Sequence, residues 1–336
     1  MIRPHRQPPS RRLLLAAAAA TLVPRTAGAQ TEPPTPTVVR ELADLVEREY
    51  HDAELGRAAA ITLRRKLDAG GYGDLTGDPL AAQLMADLQS VLHDGHVYVF
   101  HGAMMGGGVA PSAPHMAAAP ATPSELTALS EARYGIAAAE VLPGNIGRLD
   151  LRQFYRPVAE VQAKYAEAMT ELADTKALVV DLTRNIGGDP KTVALVASYF
   201  FDRAPFVINR FRWRRLPVEE FRTTATPGGP LYGEKRPVVI AVSANSFSGA
   251  EEFAYDLQAL KRAPVVGQVT GGGANHALPV LVAGAYTAFV PQARAENPIT
   301  LTNWEGKGVQ PDLLVSDKSR IVERALEVAR AAIAAG

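Results

Sequence analysis

The chain of 336 residues contains no cysteine. That absence excludes disulfides, a thiol nucleophile, cysteine metal sites and a lipid-modified N-terminal cysteine. Stability must come from an apolar core. Excess charge is also missing, because 35 basic residues balance 35 acidic ones. No basic block occurs, which argues against nucleic acid as a partner. Long apolar runs are scarce as well. The run from about Leu13 to Val23 falls short of the roughly 20 residues a membrane helix needs, and no later segment approaches that length. There is no His-Glu-x-x-His, no acidic calcium loop, and no Lys-Ser or Lys-Thr after a glycine loop, so chemistry without metal or other cofactor is the expectation.

What is present begins with "PSRRLLLAAAAATLVPRTAGAQ", a basic stretch, a short apolar core and a small-x-small site ending at Ala29. This pattern predicts a cleaved signal peptide over residues 1–29 and a periplasmic or extracellular protein. Arg11 and Arg12 after Ser10 resemble a twin-arginine signal, and ordinary secretory signals carry such pairs too. Cleavage removes five of the 35 basic residues and no acid, leaving 30 against 35 and a mildly acidic mature chain.

Apolar residues recur at helical spacing in Val38, Val39, Leu42, Leu45 and Val46, and again in Leu80, Leu84, Leu88, Val91 and Leu92. A small helical N-terminal domain is predicted over 30–100. The Gly-, Ala- and Pro-rich stretch 101–123 breaks all periodicity and reads as a flexible linker. From about Tyr134 strand-like runs alternate with helical ones: "NIGRLDL", a helix near 156–174, "ALVVDL", a helix near 191–202, "RPVVIAVS", a helix after Ser248, and "APVVGQ". Such alternation predicts an α/β domain over 124–336 with parallel strands, closed by an amphipathic last helix.

Four segments carry candidate chemistry. Ser248 stands between an apolar strand and a helix, and Glu251 follows at capping-box spacing, so the serine is either a helix cap or a nucleophile at a helix N-terminus. In "LVVDLTRNIGGDP" the paired Gly187 and Gly188 follow a strand, either as a simple turn or as backbone N–H groups open to a bound oxygen. His96 in "DGHVYV" has the chemistry of a general base near neutral pH. Glu305 in "TNWEGKGVQPD" is a solvated turn residue or the acid that orients an imidazole.

In this order the segments resemble the tail-specific (C-terminal processing) serine peptidase family, in the branch of the tricorn core protease and the interphotoreceptor retinoid-binding protein modules. The likeness rests on "DGH", "VLPGNIGRLDLRQF", "VVDLTRNIGG", "SFSGAEEFAYDLQALKRAPVVGQVTGGGA" and "NWEGKGVQPD". It implies a crotonase/Clp-like spiral ββα core with a small helical N-terminal domain. It also implies a serine peptidase acting on peptide or protein substrates, with Ser248 as nucleophile, His96 as base and Glu305 as acidic partner. Gly249 and either Gly187 or Gly188 would form the oxyanion hole. By the same register Ser246 is not the nucleophile.

The sequence departs from the family in three places. The serine–lysine branch has a lysine 25 positions after its serine, where this chain has Gly273, so a histidine base is favoured and Lys261 and Arg262 read as structural helix-end charges. The tricorn-type serine before the histidine is replaced by Gly95, which leaves the Glu305–His96 contact open. No PDZ module fits between His96 and Tyr134. His276 is a reserve base, and a catalytically silent module binding apolar ligands or peptides is the alternative function.

Overall fold

The computed structural model describes residues 32–102, 120–203 and 205–335. The expected signal segment and positions 103–119 of the expected linker lie outside the described residues.

Three helices open the structure: α1 (Thr35–Glu49), α2 (Ala53–Asp68) and α3 (Gly77–Leu92). The helically spaced Val38, Val39, Leu42, Leu45 and Val46 are all buried, as a one-sided stripe requires. Asp52 caps α2 by accepting from the N–H groups of Glu54 and Leu55 at 2.9 and 3.0 Å. At the end of α3, His93 adopts a left-handed conformation with φ +50°, which stops the helix and turns the chain through Asp94, Gly95 and His96 into β1 (Tyr98–His101).

After α4 (Pro123–Glu131) come β2 (Ile136–Leu142), β3 (Ile146–Leu151), α5 (Ala159–Glu171), β4 (Ala177–Asp181) and α6 (Pro190–Ser198). Then follow β5 (Val207–Trp213), β6 (Glu219–Arg222), β7 (Val238–Val242), α7 (Gly249–Ala259) and β8 (Val265–Gly267). The chain finishes with β9 (His276–Val282), β10 (Tyr286–Glu296), β11 (Leu313–Leu314) and α8 (Ile321–Ala335).

One sheet has the order β11-β8-β7-β4-β3-β2, parallel except for the β2–β3 pair. Every residue of β4 and β7 is buried because both sheet faces are covered. Leu178, Val180, Ile240 and Val242 face a core shared with α5, α6 and α7, while Ala177, Val179, Val239 and Ala241 alternate toward α8. Ser248 follows β7 and the glycine pair follows β4, so these two adjacent strands deliver both segments to one sheet end.

The second sheet runs β1-β10-β5-β6, with β9 also on β10. Its register pairs Tyr98 with Phe289 and His101 with Tyr286. Val282, Tyr286, Ala288 and Val290 share a core with the N-terminal helices. That core anchors the stretch carrying His96.

Candidate active site

Ser248 departs from ordinary helix capping. Its backbone has φ +54° and ψ −122°, a conformation that costs a non-glycine residue about 1–3 kcal/mol. The surrounding loop enforces it. Ser243 Oγ donates to Thr183 O at 2.6 Å, Ser246 Oγ donates to Leu182 O at 2.8 Å, and Phe247 N–H donates to Asn185 O at 3.2 Å. The Ser248 N–H donates to the Glu251 carboxylate at 2.9 Å, the reciprocal half of a capping box. The Ser248 hydroxyl meets the imidazole of His96, with Oγ and Nε2 hydrogen-bonded at 2.9 Å. Ser246 is fully buried and committed to its loop.

His96 reaches this position from the other core. Asp94 Oδ1 accepts its backbone N–H at 2.9 Å, and Gln89 Nε2 donates to the carbonyls of Asp94 and Val97. The imidazole packs on the Phe247 ring with centroids 4.8 Å apart. Burial holds its pKa below the ordinary histidine value, and the negative charge of Asp94 opposes that shift. The ring is therefore a neutral acceptor at pH 7.

Among the sequence-predicted residues, Glu305 lies near His96 without a direct hydrogen bond to it. Its carboxylate accepts the N–H groups of Gly95 (3.4 Å), Ala274 (2.6 Å) and Asn275 (3.1 Å). His96 Nδ1 is buried and has no partner among the described residues. Burial, then the charge of Asp94, pushes Glu305 up to about 7. Ligand atoms of Asp94, His96 and Glu305 lie within 4.8 Å of one another. Both carboxylates are filled by N–H or O–H donors, so the trio reads as a hydrogen-bonded network rather than a cation site.

The glycine pair packs directly on the serine. A Cβ on Gly187 would lie 2.6 Å from Ser248 Cβ, and one on Gly249 would lie 3.0 Å from Gly188 N. Only glycine allows that approach, and Gly187 and Gly188 have φ of +101° and +136°. The Gly187 N–H donates to Asn185 Oδ1 at 2.7 Å. Gly188 is exposed, and neither its N–H nor that of Gly249 has an acceptor among the described residues. These two free donors flank Ser248.

His276 is separate from the Ser248 contact. Its ring packs against Phe211 and Trp213, and burial followed by the neighbouring His96 charge drives its pKa down to about 3. With Phe211, Trp213 and Phe221 it walls a cavity of about 30 Å³ beside Gly188, room for roughly two waters. Arg262 is structural as expected, donating to the carbonyls of Phe200, Gly233 and Arg236.

Two acids escaped sequence reasoning. Asp94 looks like an ordinary turn residue in "DGH", and Glu251 like a cap partner. Glu251 in fact accepts from Ser248 N–H, Thr270 Oγ1, Gly272 N–H and Gly273 N–H at 2.9, 2.5, 2.6 and 2.9 Å. It ties the serine loop to residues 270–273, and burial pushes it up to about 7 against those hydrogen bonds.

The sequence matches the profile of peptidase family S41 over residues 145–315. It also matches the N-terminal domain of Peptidase S41 in eukaryotic IRBP over residues 29–137. The chain belongs to peptidase family S41. It is a serine-type peptidase, and its substrates are peptides or proteins. Solved structures share the fold at low identity. A putative peptidase from Parabacteroides merdae superposes with TM-score 0.59 at 15% identity, covering 89% of this chain and 97% of that one. The photosystem II D1 C-terminal processing protease gives 0.54 at 19%, covering 89% and 98%. The tricorn protease gives 0.55 at 12%, covering 89% of this chain and 36% of its own.

The helix that carries Ser248 in this S41 peptidase also holds buried acids one and two turns on. Burial, with Asp189 adding to it, pushes Glu252 up to about 8 against the pull of the Asn209 amide. Burial and then Glu252 raise Asp256. The folded state thus keeps protons that the unfolded chain releases above about pH 4.5, and stability falls as pH rises from there toward 8. Thermal melts at pH 5 and pH 8 test this. Wild type melts lower at pH 8, and Glu252→Gln narrows the gap; an equal gap in both proteins contradicts the assignment.

Proposed function

We propose that this S41 peptidase is exported and cleaves peptide bonds through an acyl-enzyme formed on Ser248. The observation that carries the reading is the 2.9 Å contact between Ser248 Oγ and His96 Nε2. Ser248 Oγ attacks the scissile carbonyl carbon while its proton passes to His96 Nε2. The oxygen that becomes negative accepts from the N–H groups of Gly188 and Gly249, with Gly187 serving their close approach. The imidazolium gives its proton to the leaving amine as the C–N bond breaks. Water, deprotonated by His96, then attacks the acyl carbon; the bond to Ser248 Oγ breaks, Oγ takes the proton back from His96, and the acid is released. Glu305, the acidic partner that the family resemblance implies, stands beside His96 and is held by the N–H groups of Gly95, Ala274 and Asn275.

Export rests on the basic start, the short apolar core and the small-residue site ending at Ala29. Among the described residues no helix is long and apolar enough to cross a membrane.

Labelling of the mature protein by a fluorophosphonate probe tests the reaction. Wild type is modified at Ser248, with the acid limb of the rate centred below pH 6.5 because burial keeps His96 neutral there. A folded wild type that resists the probe would return Ser248 to the role of a helix cap. N-terminal sequencing of periplasmic or secreted material tests export, with retention of the first 29 residues as the contrary result.

A further inference from the structure

A base that takes the Ser248 proton at Nε2 carries its other proton on Nδ1. In His96 that nitrogen is buried and unpartnered among the described residues, while two carboxylates stand close by. They are held in different ways. Glu305 is bound by three backbone N–H groups, two of them in the stretch 274–275. Asp94 is 1% exposed, and its Oδ1 accepts the backbone N–H of His96 itself at 2.9 Å. Its Oδ2 accepts from Tyr50 Oη at 3.0 Å and from Asn275 Nδ2 at 2.9 Å, with His51 Nε2 4.0 Å away.

We propose that Asp94 is the positioning residue of this site, fixing His96 against Ser248 and supplying the negative charge that steadies the imidazolium, while Glu305 chiefly orders the loop 274–275. The inference rests on the Ser248–His96 reading above. Asp94 joins the end of α1, the turn bearing the base and the start of β9, so its removal loosens all three. It also has the right sign of action. The charge opposing burial at His96 is that of Asp94, whereas Glu305 is itself pushed up to about 7 and is partly protonated near neutrality. The other groups around this pair are His276 from β9, Tyr98 from β1, and Tyr50, His51 and Asp52 from the α1–α2 turn.

The test compares wild type, Asp94→Asn and Glu305→Gln by fluorophosphonate labelling from pH 4.5 to 8.5, with thermal melts to verify folding. Asp94→Asn is expected to slow labelling at pH 7 on the order of 100-fold. It should also move the acid limb about one unit lower, because losing a nearby negative charge disfavours the imidazolium. Glu305→Gln is expected to lose less and to leave the limb in place. A folded Asp94→Asn protein with an unmoved limb and a smaller loss than Glu305→Gln overturns the proposal. If Asp94→Asn does not fold, the double variant Tyr50→Phe with Asn275→Ala keeps the carboxylate and removes both donors to Oδ2. That variant should label about tenfold more slowly, and a wild-type rate in it would sink the proposal. Failure of the underlying reading looks different: wild type itself would not label, or Ser248→Ala would.

Discussion

Replacing Ser248 by alanine lowers peptide hydrolysis on the order of 10⁴-fold or more and abolishes fluorophosphonate labelling, with the melting temperature nearly unchanged or raised. The kinetic loss follows from removing the hydroxyl held 2.9 Å from His96 Nε2. Stability should hold because the loop is anchored through Ser243, Ser246 and the Glu251 carboxylate, all of which bind without the Ser248 hydroxyl. Residual activity within tenfold of wild type, in protein purified free of host peptidases, would refute the assignment of the nucleophile.

Gly273→Ala should also be damaging, although it touches no reacting atom. A Cβ at this position would overlap the Phe247 ring and lie 2.8 Å from His96 Cε1. Position 273 has no positive φ, so the backbone tolerates alanine and the effect is steric. The imidazole must tilt away from Ser248. A loss on the order of 100-fold in labelling rate is expected, with the fold retained. A side chain at 273 and the ring of His96 compete for one space beside the serine. Gly273→Lys is therefore expected to displace the base rather than to add a second one. Unchanged labelling of Gly273→Ala would show that the ring has room to spare.

How much of this was legible in the sequence depended on range. β4 and β7 are buried on both faces, so they appear as unbroken apolar runs, "ALVVD" and "VVIAV". The helices α5, α7 and α8 announced themselves by period and flanking residues. The second sheet did not. Pro279 interrupts β9, and Pro291 sits in β10 where the register shifts before Ala293, so both strands read as broken. β9 tolerates its proline because, among the described residues, it pairs on one side only, with β10. β1 pairs with residues almost two hundred positions later, a partnership no local pattern reveals.

The site divides in the same way. Ser248, His96, Glu305 and the glycines stand in recognisable motifs, and the structure gathers them. Asp94 and Glu251 acquire their significance through contacts with Asn275 and with residues 270–273, far along the chain, so locally they looked like a turn and a cap. Gly187 and Gly188 were interchangeable in sequence. The Asn185 side chain separates them by occupying the N–H of Gly187 and leaving that of Gly188 free.

His96 and Ser248 are 152 positions apart, and each is fixed to a different hydrophobic core. On the proposed reading of Ser248 and His96, a hydrolase assembled this way is inert until it folds. The half carrying the base emerges from the ribosome first and has no serine to activate, and the late half has a serine with no base. On that reading the unfolded chain holds no assembled Ser248–His96 pair. Competence arrives only when the two cores close on each other, so folding itself acts as the activation step.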